Sequence, residues 1–444
     1  MGRCAVSTQK QKRPFALRAL AAFACTLAIL FVLLLAAYAL PGERVRQHIY
    51  DSARTIQNEG LYPEYLGFKL FQMDNYTDTL MLFEAASADE LPPLQAMMTN
   101  TAYNVDNFET LADDLAWYIE KDWSTGAQRT DAPALEPFSY ARYWHGYLIW
   151  LRPLLLLMPY TGVRIVQYIV LFSLLAVVLV QLRRRCGLRA AVWFAVSQLA
   201  VSVWFVPHQV QYFTCFMIAY AGCAWVLAKP RRSDVLCLGL LVLGTATAFC
   251  DLLVTPIITL GLPLTCWLLE PQQRLRGGVP QCALAVGGSL CWGTGYALCW
   301  AGKWALAGAV TGNNVLADAL HQAEVRTTAD TWHGMELTWR NIFCFLYNTL
   351  NSHHLFWPAL AVLAVLIALF ILSIRSKTAL VRALPLALTT CMAPAWFVLL
   401  RTHSIQHGWF TWRALGLTVF AGLAFLYYAC DLRAARRRLQ KGSI

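Results

Sequence analysis

Long apolar runs recur along most of this chain, and they constrain its fold more than any other feature. The hydrocarbon core of a bilayer is about 30 Å thick, and an α-helix of about 20 residues crosses it. Only 14% of the residues are charged, against roughly 25% in a soluble globular domain. The sequence therefore predicts an all-α polytopic membrane protein and not a string of soluble domains.

Ten segments are apolar enough to be predicted as transmembrane helices. The first begins beside Lys10, Lys12, Arg13 and Arg18. It is longer than the apolar region of about 7–15 residues in a cleaved signal peptide, so we interpret it as a retained signal anchor. The ten predicted spans are residues 15–40, 163–182, 190–206, 211–228, 235–250, 252–269, 281–300, 355–374, 384–400 and 414–430.

The basic residues predict the orientation of these spans. Alternate connecting segments contain most of the 36 lysines and arginines, and short basic loops stay in the cytoplasm. We therefore predict a multi-pass protein of the cytoplasmic membrane, with cytoplasmic termini at residues 1–14 and 431–444. Residues 41–162 and 301–354 are then the first and second extracytoplasmic loops. The net charge of +11 reflects this topology, so no nucleic-acid partner is predicted.

One short segment bears on this topology. Residues 147–158 are apolar, but Arg152 and Pro153 interrupt them. A span here would reverse the orientation of every later helix. We interpret the segment as interfacial or re-entrant because it is too short to cross the hydrocarbon core.

The large first loop contains two amphipathic patterns. Val45, Ile49, Ala53 and Ile56 predict a helix that ends at Gly60. A second helix is predicted to begin at Asp106, as part of a capping box. We interpret both as helices that lie on the membrane surface.

Two aspartates between these patterns are candidate catalytic residues. Asp74 and Asp78 are four residues apart, so they would share one face of a helix. They could serve as a general base or hold a divalent cation, which is the only cofactor the sequence suggests. Alternatively, Asp74 caps a helix and Asp78 interacts with the dipole of that helix. The sequence alone leaves both interpretations open.

A third aspartate lies at the tip of a predicted helical hairpin. The apolar residues 235–269 would form two short legs, with Asp251 at the turn. A carboxylate at this depth costs about 3 kcal/mol unless it faces water or a partner. Asp251 is therefore predicted either to line an outer cavity or to cap the tip of the hairpin.

Basic residues at outer span ends are candidates for binding a substrate. Lys303 follows the seventh predicted span, and Arg401, His403, His407 and Arg413 lie in the last outer loop. These residues could hold a lipid-linked phosphate. Alternatively, arginine and tryptophan anchor the span ends at the membrane surface. The two histidines could also bind a metal, although no third ligand is close in sequence.

The layout resembles that of the GT-C class of membrane glycosyltransferases, which includes protein O-mannosyltransferases and the lipid A aminoarabinose transferase. The shared features are acidic residues in the first outer loop, Asp74 and Asp78, and basic residues at outer span ends, Lys303, Arg401 and Arg413. The resemblance implies transfer of a sugar from a polyprenyl-phosphate donor to an envelope glycan, lipid or protein outside the cytoplasm.

The resemblance also implies roles for these residues. An aspartate would take the proton of the acceptor hydroxyl, and Lys303, Arg401, His403 and Arg413 would neutralise the leaving phosphate. The GT-C class usually places its acidic motif closer to the first span, where Asp51 lies in this chain.

The topology places all of these polar groups at one membrane level. We therefore predict that they border one cavity, which opens to the outer face and to lipid.

Two other classes of protein remain as alternatives. A transporter or flippase of an envelope precursor would have many spans, but it would also show internal repeats and ionisable residues near mid-span. An O-antigen polymerase or ligase also has about ten spans, but its largest outer loop usually comes late in the chain.

Overall fold

The computed structural model describes residues 14–103, 137–274, 278–328, 331–332, 335–336, 338, 341–352, 354–431 and 433. Within these ranges, eight helical stretches are long and apolar enough to cross a membrane. The described structure is dominated by helices, in agreement with the prediction of an all-α polytopic membrane protein. The helix predicted to begin at Asp106 lies outside the described residues.

The helices and strands are numbered here in chain order. The first half of the chain contains α1 (Phe15–Tyr38), α2 (Glu43–Glu59), α3 (Asn75–Ser87), α4 (Pro93–Thr99), β1 (Thr101–Tyr103), β2 (Pro137–Ser139), α5 (Leu148–Leu155), α6 (Tyr160–Cys186), α7 (Leu188–Ala200) and α8 (Val210–Ala228). The second half contains α9 (Ser233–Cys250), α10 (Ile257–Leu268), α11 (Pro271–Arg274), α12 (Gly278–Thr311), α13 (Val315–Thr328), β3 (Thr331–Trp332), β4 (Met335–Glu336), α14 (Cys344–Ser352), α15 (Phe356–Ser373), α16 (Lys377–Thr390), α17 (Met392–Leu399), α18 (Arg401–Gln406), α19 (Gly408–Thr411) and α20 (Leu415–Ala429). The strands form two small antiparallel pairs, β1 with β2 and β3 with β4.

Apolar helices occupy all ten of the predicted segments, but two of these helices are short. The long ones are α1, α6, α8, α9, α12, α15 and the stretches Lys377–Leu399 and Gly408–Ala429. Helix α7 has 13 residues and α10 has 12. Helix α7 ends early because Ser202 adopts a left-handed conformation with φ 57°, and a 3₁₀ turn follows it.

Helix α12 is longer than predicted. It has 34 residues and continues to Thr311, whereas the predicted span ends at residue 300. Lys303 therefore lies inside a helix, not in a loop. The long helix packs closely on α9, where a methyl group at Gly244 would lie 2.0 Å from the Trp292 carbonyl oxygen and one at Gly295 would lie 2.2 Å from the Leu241 carbonyl oxygen. Such close approach between backbones is typical of membrane helices.

Side chains at one end of the helices tie the basic segments together. Arg18 near the start of α1 pairs with Asp234 at the start of α9, at 2.9 Å. Arg185 at the end of α6 pairs with Glu270 beyond α10, at 2.8 Å. Arg274 donates to the Tyr428 hydroxyl near the end of α20. We call this region, where the predicted cytoplasmic segments meet, the basic end.

Helices α2 to α5 pack on the opposite end of α1 and on α6 and α8. Arg152 of α5 is fully buried and donates to the carbonyl oxygens of Ala37 and Tyr38 at 3.1 Å and of Leu40 at 2.9 Å. The carbonyl groups of Tyr38 and Leu40 lack intrahelical partners because α1 ends there, and a cation is favourable at a helix C-terminus. Helix α5 has eight residues, too few to cross the hydrocarbon core.

The predicted amphipathic helix is present as α2, and it ends at Gly60 with φ 88°. Its apolar residues Val45, Ile49, Ala53 and Ile56 are buried. They face α3, α5 and α6, because these helices pack on α2. The apolar stripe therefore contributes to the protein core. The position of this helix on the membrane surface stays a prediction.

We expect Arg152→Met to lower the free energy of unfolding by at least about 2 kcal/mol, because the carbonyl groups of Ala37, Tyr38 and Leu40 would lose a charged donor. Thermal unfolding of the purified protein in detergent measures this loss. Arg54→Met is the matched control, since Arg54 lies on the exposed face of α2. Equal unfolding temperatures for the two variants would contradict a stabilising role for Arg152.

Candidate functional site

The first turn of α8 is where the acidic first loop meets the membrane helices. The N–H groups of Val210 and Gln211 donate to the two carboxylate oxygens of Asp78 at 3.1 and 3.2 Å, and the Tyr160 hydroxyl donates to the same carboxylate. The first N–H groups of a helix have no intrahelical acceptor. Asp78 therefore caps α8 across the fold.

Asp78 is completely buried, and both of its oxygens accept hydrogen bonds. Burial raises the pKa of Asp78 to about 7, although the Tyr160 hydroxyl, the nearby Arg164 and the two N–H groups oppose this shift. Asp78 also lies in the first turn of α3, as the structural interpretation expected. The cap on α8 is a second, long-range role that sequence spacing does not reveal.

Asp74 is the N-cap residue of α3 and is 2% exposed. Its two oxygens accept from the Thr77 N–H at 3.0 Å and from the Thr77 hydroxyl at 2.9 Å. Burial raises the pKa of Asp74, and the Thr77, Trp409 and Gln211 groups oppose this shift. A carboxylate has about four acceptor positions, so the cap leaves Asp74 able to accept a further hydrogen bond.

An ion pair that the sequence analysis missed holds α3 in place. Glu59 at the end of α2 accepts from Arg164 of α6 at 2.6 and 2.9 Å. Burial alone would raise the pKa of Glu59, but the His208 ring at 3.8 Å and the hydrogen bonds from Arg164 lower it to about 2. The Asn75 amide also donates to Glu59 at 3.2 Å, which fixes the start of α3 next to Asp74.

Arg413 brings a positive charge to the same region. Its side chain is completely buried, and its guanidinium carbon lies 4.5 Å from the ring centre of Tyr212 in α8. One Nη donates to the Trp409 carbonyl oxygen at 3.0 Å. The Nε and second Nη atoms have no hydrogen-bond partner among the described residues. A buried guanidinium with free donors favours an anion.

Asp74, Asp78, Gln211, Trp409 and Arg413 are called the α8 site below. The Trp409 side chain faces Asp74, while its carbonyl group holds Arg413. Within the described chain, Asp74 and Arg413 form no ion pair, so each keeps part of its hydrogen-bonding capacity.

Two histidines lie beside the α8 site. The rings of His403 and His407 are 4.7 Å apart, and His403 Nε2 lies 3.0 Å from the Leu253 carbonyl oxygen, which places the proton on Nε2. Burial and the nearby Arg326 lower the pKa of His407 to about 4. Burial also lowers the pKa of His403, with a further contribution from His407. Both rings are therefore neutral near pH 7, whereas the sequence interpretation expected His403 to contribute a positive charge.

Asp251 lies in the loop between α9 and α10, next to the carbonyl group that binds His403. It is buried, and neither carboxylate oxygen has a partner of hydrogen-bond geometry among the described residues. Burial raises the pKa of Asp251 to about 7, and the nearby Cys215 thiol opposes the shift. Leu253 adopts a left-handed conformation with φ 65°. Such strain costs about 1–2 kcal/mol and clusters at functional sites.

A cavity of about 130 Å³ adjoins this loop. Five of its thirteen lining residues are aromatic, and it is called the aromatic cavity below. Leu253 links the cavity to His403. The lining includes Tyr143, Tyr296, Trp300, Trp304, Trp396, Leu253, Arg142 and Arg326.

The two arginines of the aromatic cavity differ in their contacts. Arg142 pairs with Asp318 at 3.1 Å, whereas Arg326 lies 5.9 Å from the ring centre of Tyr143. Sequence analysis did not select Arg326, because only the packing of α13 against α18 brings it to the histidines.

Lys303 lies apart from the α8 site. Its ammonium group donates to the carbonyl oxygens of Met97 at 2.7 Å and Met98 at 3.3 Å, and it lies 5.4 Å from the ring centre of Trp144. In this position Lys303 caps the last turn of α4. Arg401 begins α18 in the same loop as the histidines.

The structure brings some of the predicted site residues close together and leaves others apart. Asp74, Asp78 and Arg413 all lie near Tyr212 in the first turn of α8, and His403 contacts the Leu253 carbonyl oxygen in the loop that contains Asp251. Among the described residues, Lys303 donates to Met97 and Met98, whereas Thr77 donates to Asp74 and Arg413 donates to Trp409. Whether the remaining groups border one continuous cavity stays a prediction.

No protein-family model, curated protein or solved structure matches this chain. In the part of the chain that the structure describes, no three His, Cys, Asp or Glu side chains form a potential metal site.

We expect Asp78→Asn to lower the free energy of unfolding by about 1–3 kcal/mol. The amide can accept through one oxygen only, so a buried N–H group of α8 would lose its acceptor. Asp74→Asn should cost well under about 1 kcal/mol, since Asn and Asp are comparable N-caps. Thermal unfolding in detergent compares the two variants, and equal losses would contradict the capping of α8 by Asp78.

Proposed function

We propose that this protein is a GT-C type membrane glycosyltransferase, which moves a sugar from a polyprenyl-phosphate donor to an extracytoplasmic acceptor. The acceptor would be an envelope glycan, a lipid or a protein. One observation carries the proposal: a buried carboxylate, Asp74, and a buried guanidinium, Arg413, both lie near Tyr212 in the first turn of α8 and form no ion pair with each other among the described residues.

We also propose that all ten apolar helices cross the membrane, with both termini in the cytoplasm. The ion pairs at the basic end support this arrangement, because they join segments that the ten-span topology places on the same side. Short basic segments resist translocation. The basic end would then face the cytoplasm, and the α8 site would face outward.

Asp74 would act as the general base. The oxygen of the acceptor hydroxyl attacks the anomeric carbon as the bond from that carbon to the phosphate oxygen breaks. The hydroxyl proton passes to Asp74, and the phosphate leaves with the bonding electron pair. Burial raises the pKa of Asp74, which makes its carboxylate a stronger base than an exposed one.

Arg413 would hold the leaving phosphate through its free Nε and Nη donors. Charge-assisted hydrogen bonds are strong where water is excluded. Arg326, near the two histidines, would add a second positive charge, and neutral His407 could supply a hydrogen bond. The proposed phosphate site does not include Lys303, because its ammonium group already caps α4.

The aromatic cavity would receive the first isoprene units of the donor. Its walls of tyrosine and tryptophan suit an apolar chain, and Arg326 at its edge would lie near the phosphate. This placement keeps the long lipid outside the α8 site, where only the sugar and the phosphate need to enter.

The proposed orientation can be tested by labelling single cysteines in a cysteine-free background. We expect an impermeant maleimide to label Asn313→Cys in intact cells and to label Arg184→Cys only after the membrane is opened. Both residues are exposed on the protein surface. Their accessibility to the maleimide should therefore differ only because they lie on opposite sides of the membrane. The reverse pattern would overturn the orientation.

The proposed chemistry can be tested on purified protein by mass spectrometry of the bound lipid. We expect a polyprenyl phosphate, with or without its sugar, to copurify with the unmodified protein. Asp74→Asn should retain the sugar-loaded donor and slow its turnover by about 10²- to 10⁴-fold, because an amide cannot accept the proton. Its thermal stability should stay close to that of the unmodified protein.

Asp51→Asn is the matched control. Asp51 also lies in the first loop, but it is exposed and accepts a hydrogen bond from Gln47 at 3.0 Å. The Asp51→Asn variant should turn over the donor at the rate of the unmodified protein. Full turnover by Asp74→Asn would remove this residue from the mechanism. Bound donor that is never cleaved by the unmodified protein would instead favour a flippase.

A further inference from the structure

We infer a second binding site, for the phosphate group of an anionic phospholipid, in a cavity at the basic end. The cavity measures about 270 Å³ and lies between α11, the start of α12, α16 and the end of α20. Three arginines line it: Arg274, Arg375 and Arg382. This inference is independent of the proposed transfer reaction.

The arginines reach the cavity from three separate segments. Arg274 ends α11, Arg375 follows α15, and Arg382 lies in α16. The other lining residues are apolar or uncharged. The neighbouring acid Glu270 is already paired with Arg185 at 2.8 Å. Three like charges therefore converge without a carboxylate in the lining, which favours an anion.

The three guanidinium groups keep free donors. Arg274 donates to the Tyr428 hydroxyl, but its buried Nε has no partner among the described residues. Arg375 donates to the carbonyl oxygens of Cys430 and Tyr427. Arg382 makes no hydrogen bond or ion pair within the described chain. Each guanidinium has five N–H donors, so a phosphate could bind several at once.

The cavity is large enough for a lipid headgroup. One water needs about 10–15 Å³ of such space, and this cavity offers about 270 Å³. The amide oxygen of Gln281, which is 4% exposed and lines the same cavity, also lacks a partner among the described residues. A hydroxyl group of the headgroup could donate to it.

An adjoining groove favours a lipid over free phosphate. This groove of about 470 Å³ runs between α15 and α20, with Leu366, Phe370 and Leu426 in its wall. Arg375 lines both the groove and the cavity. An acyl chain could therefore lie in the groove while its phosphate contacts the arginines. Basic pockets of this kind at the cytoplasmic ends of membrane helices suit anionic headgroups.

Native mass spectrometry of the delipidated full-length protein tests this inference. We expect phosphatidylglycerol to bind more tightly than phosphatidylcholine, and inorganic phosphate to compete poorly with it. Arg382→Gln should weaken phosphatidylglycerol binding about fivefold, the effect of one basic residue near an anionic lipid. Leu366→Trp should weaken it as well, because the larger side chain fills the groove.

Arg183→Gln is the matched control, since Arg183 is exposed at the same end and outside the cavity. It removes the same charge and should leave binding unchanged. Equal binding of the two lipids, or equal loss in Arg183→Gln and Arg382→Gln, would overturn the site. Full displacement by inorganic phosphate, with no effect of Leu366→Trp, would overturn its assignment to a lipid.

Discussion

The capping of α8 by Asp78 is the contact on which the arrangement of the end opposite the basic end depends. A helix that begins inside the protein leaves backbone N–H groups without acceptors, and an unpaired buried polar group costs about 1–3 kcal/mol. The first loop supplies the acceptor through α3, and the Glu59–Arg164 pair fixes α3 against α6. The hydrogen bonds between Asp78 and the first N–H groups of α8 therefore also position Asp74 beside Trp409 and Gln211.

Local periodicity and apolar length could be read from the sequence, and long-range polar contacts could not. Apolar helices occupy all ten predicted segments, and α2 ends at Gly60 as predicted, because both signals are local. The role of Lys303 depends on the carbonyl groups of Met97 and Met98, which are about 200 residues away in the chain. Arg326 and the cap on α8 were missed for the same reason.

Positive charge without a matching carboxylate occurs at both ends of the helices, in two different forms. At the end opposite the basic end it is a single arginine, Arg413, which is fully buried and has donors without a partner among the described residues. At the basic end it is a group of three arginines around an open cavity. A buried charge interacts more strongly than an exposed one, because the surroundings screen it less. The first form suits a phosphate that reacts, and the second suits a phosphate that stays bound.

The sequence could not distinguish the roles of Asp74 and Asp78, but the two residues have different hydrogen-bond partners in the structure. Both are buried and belong to the start of α3, and burial raises the pKa of each. Asp78 accepts from two N–H groups of α8 and from Tyr160, so protonation would disturb a helix start. Asp74 accepts from the N–H and hydroxyl groups of Thr77, within its own turn, and also faces the side chains of Trp409 and Gln211. A general base must gain and lose a proton in each cycle, and Asp74 can do so without loosening the membrane helices.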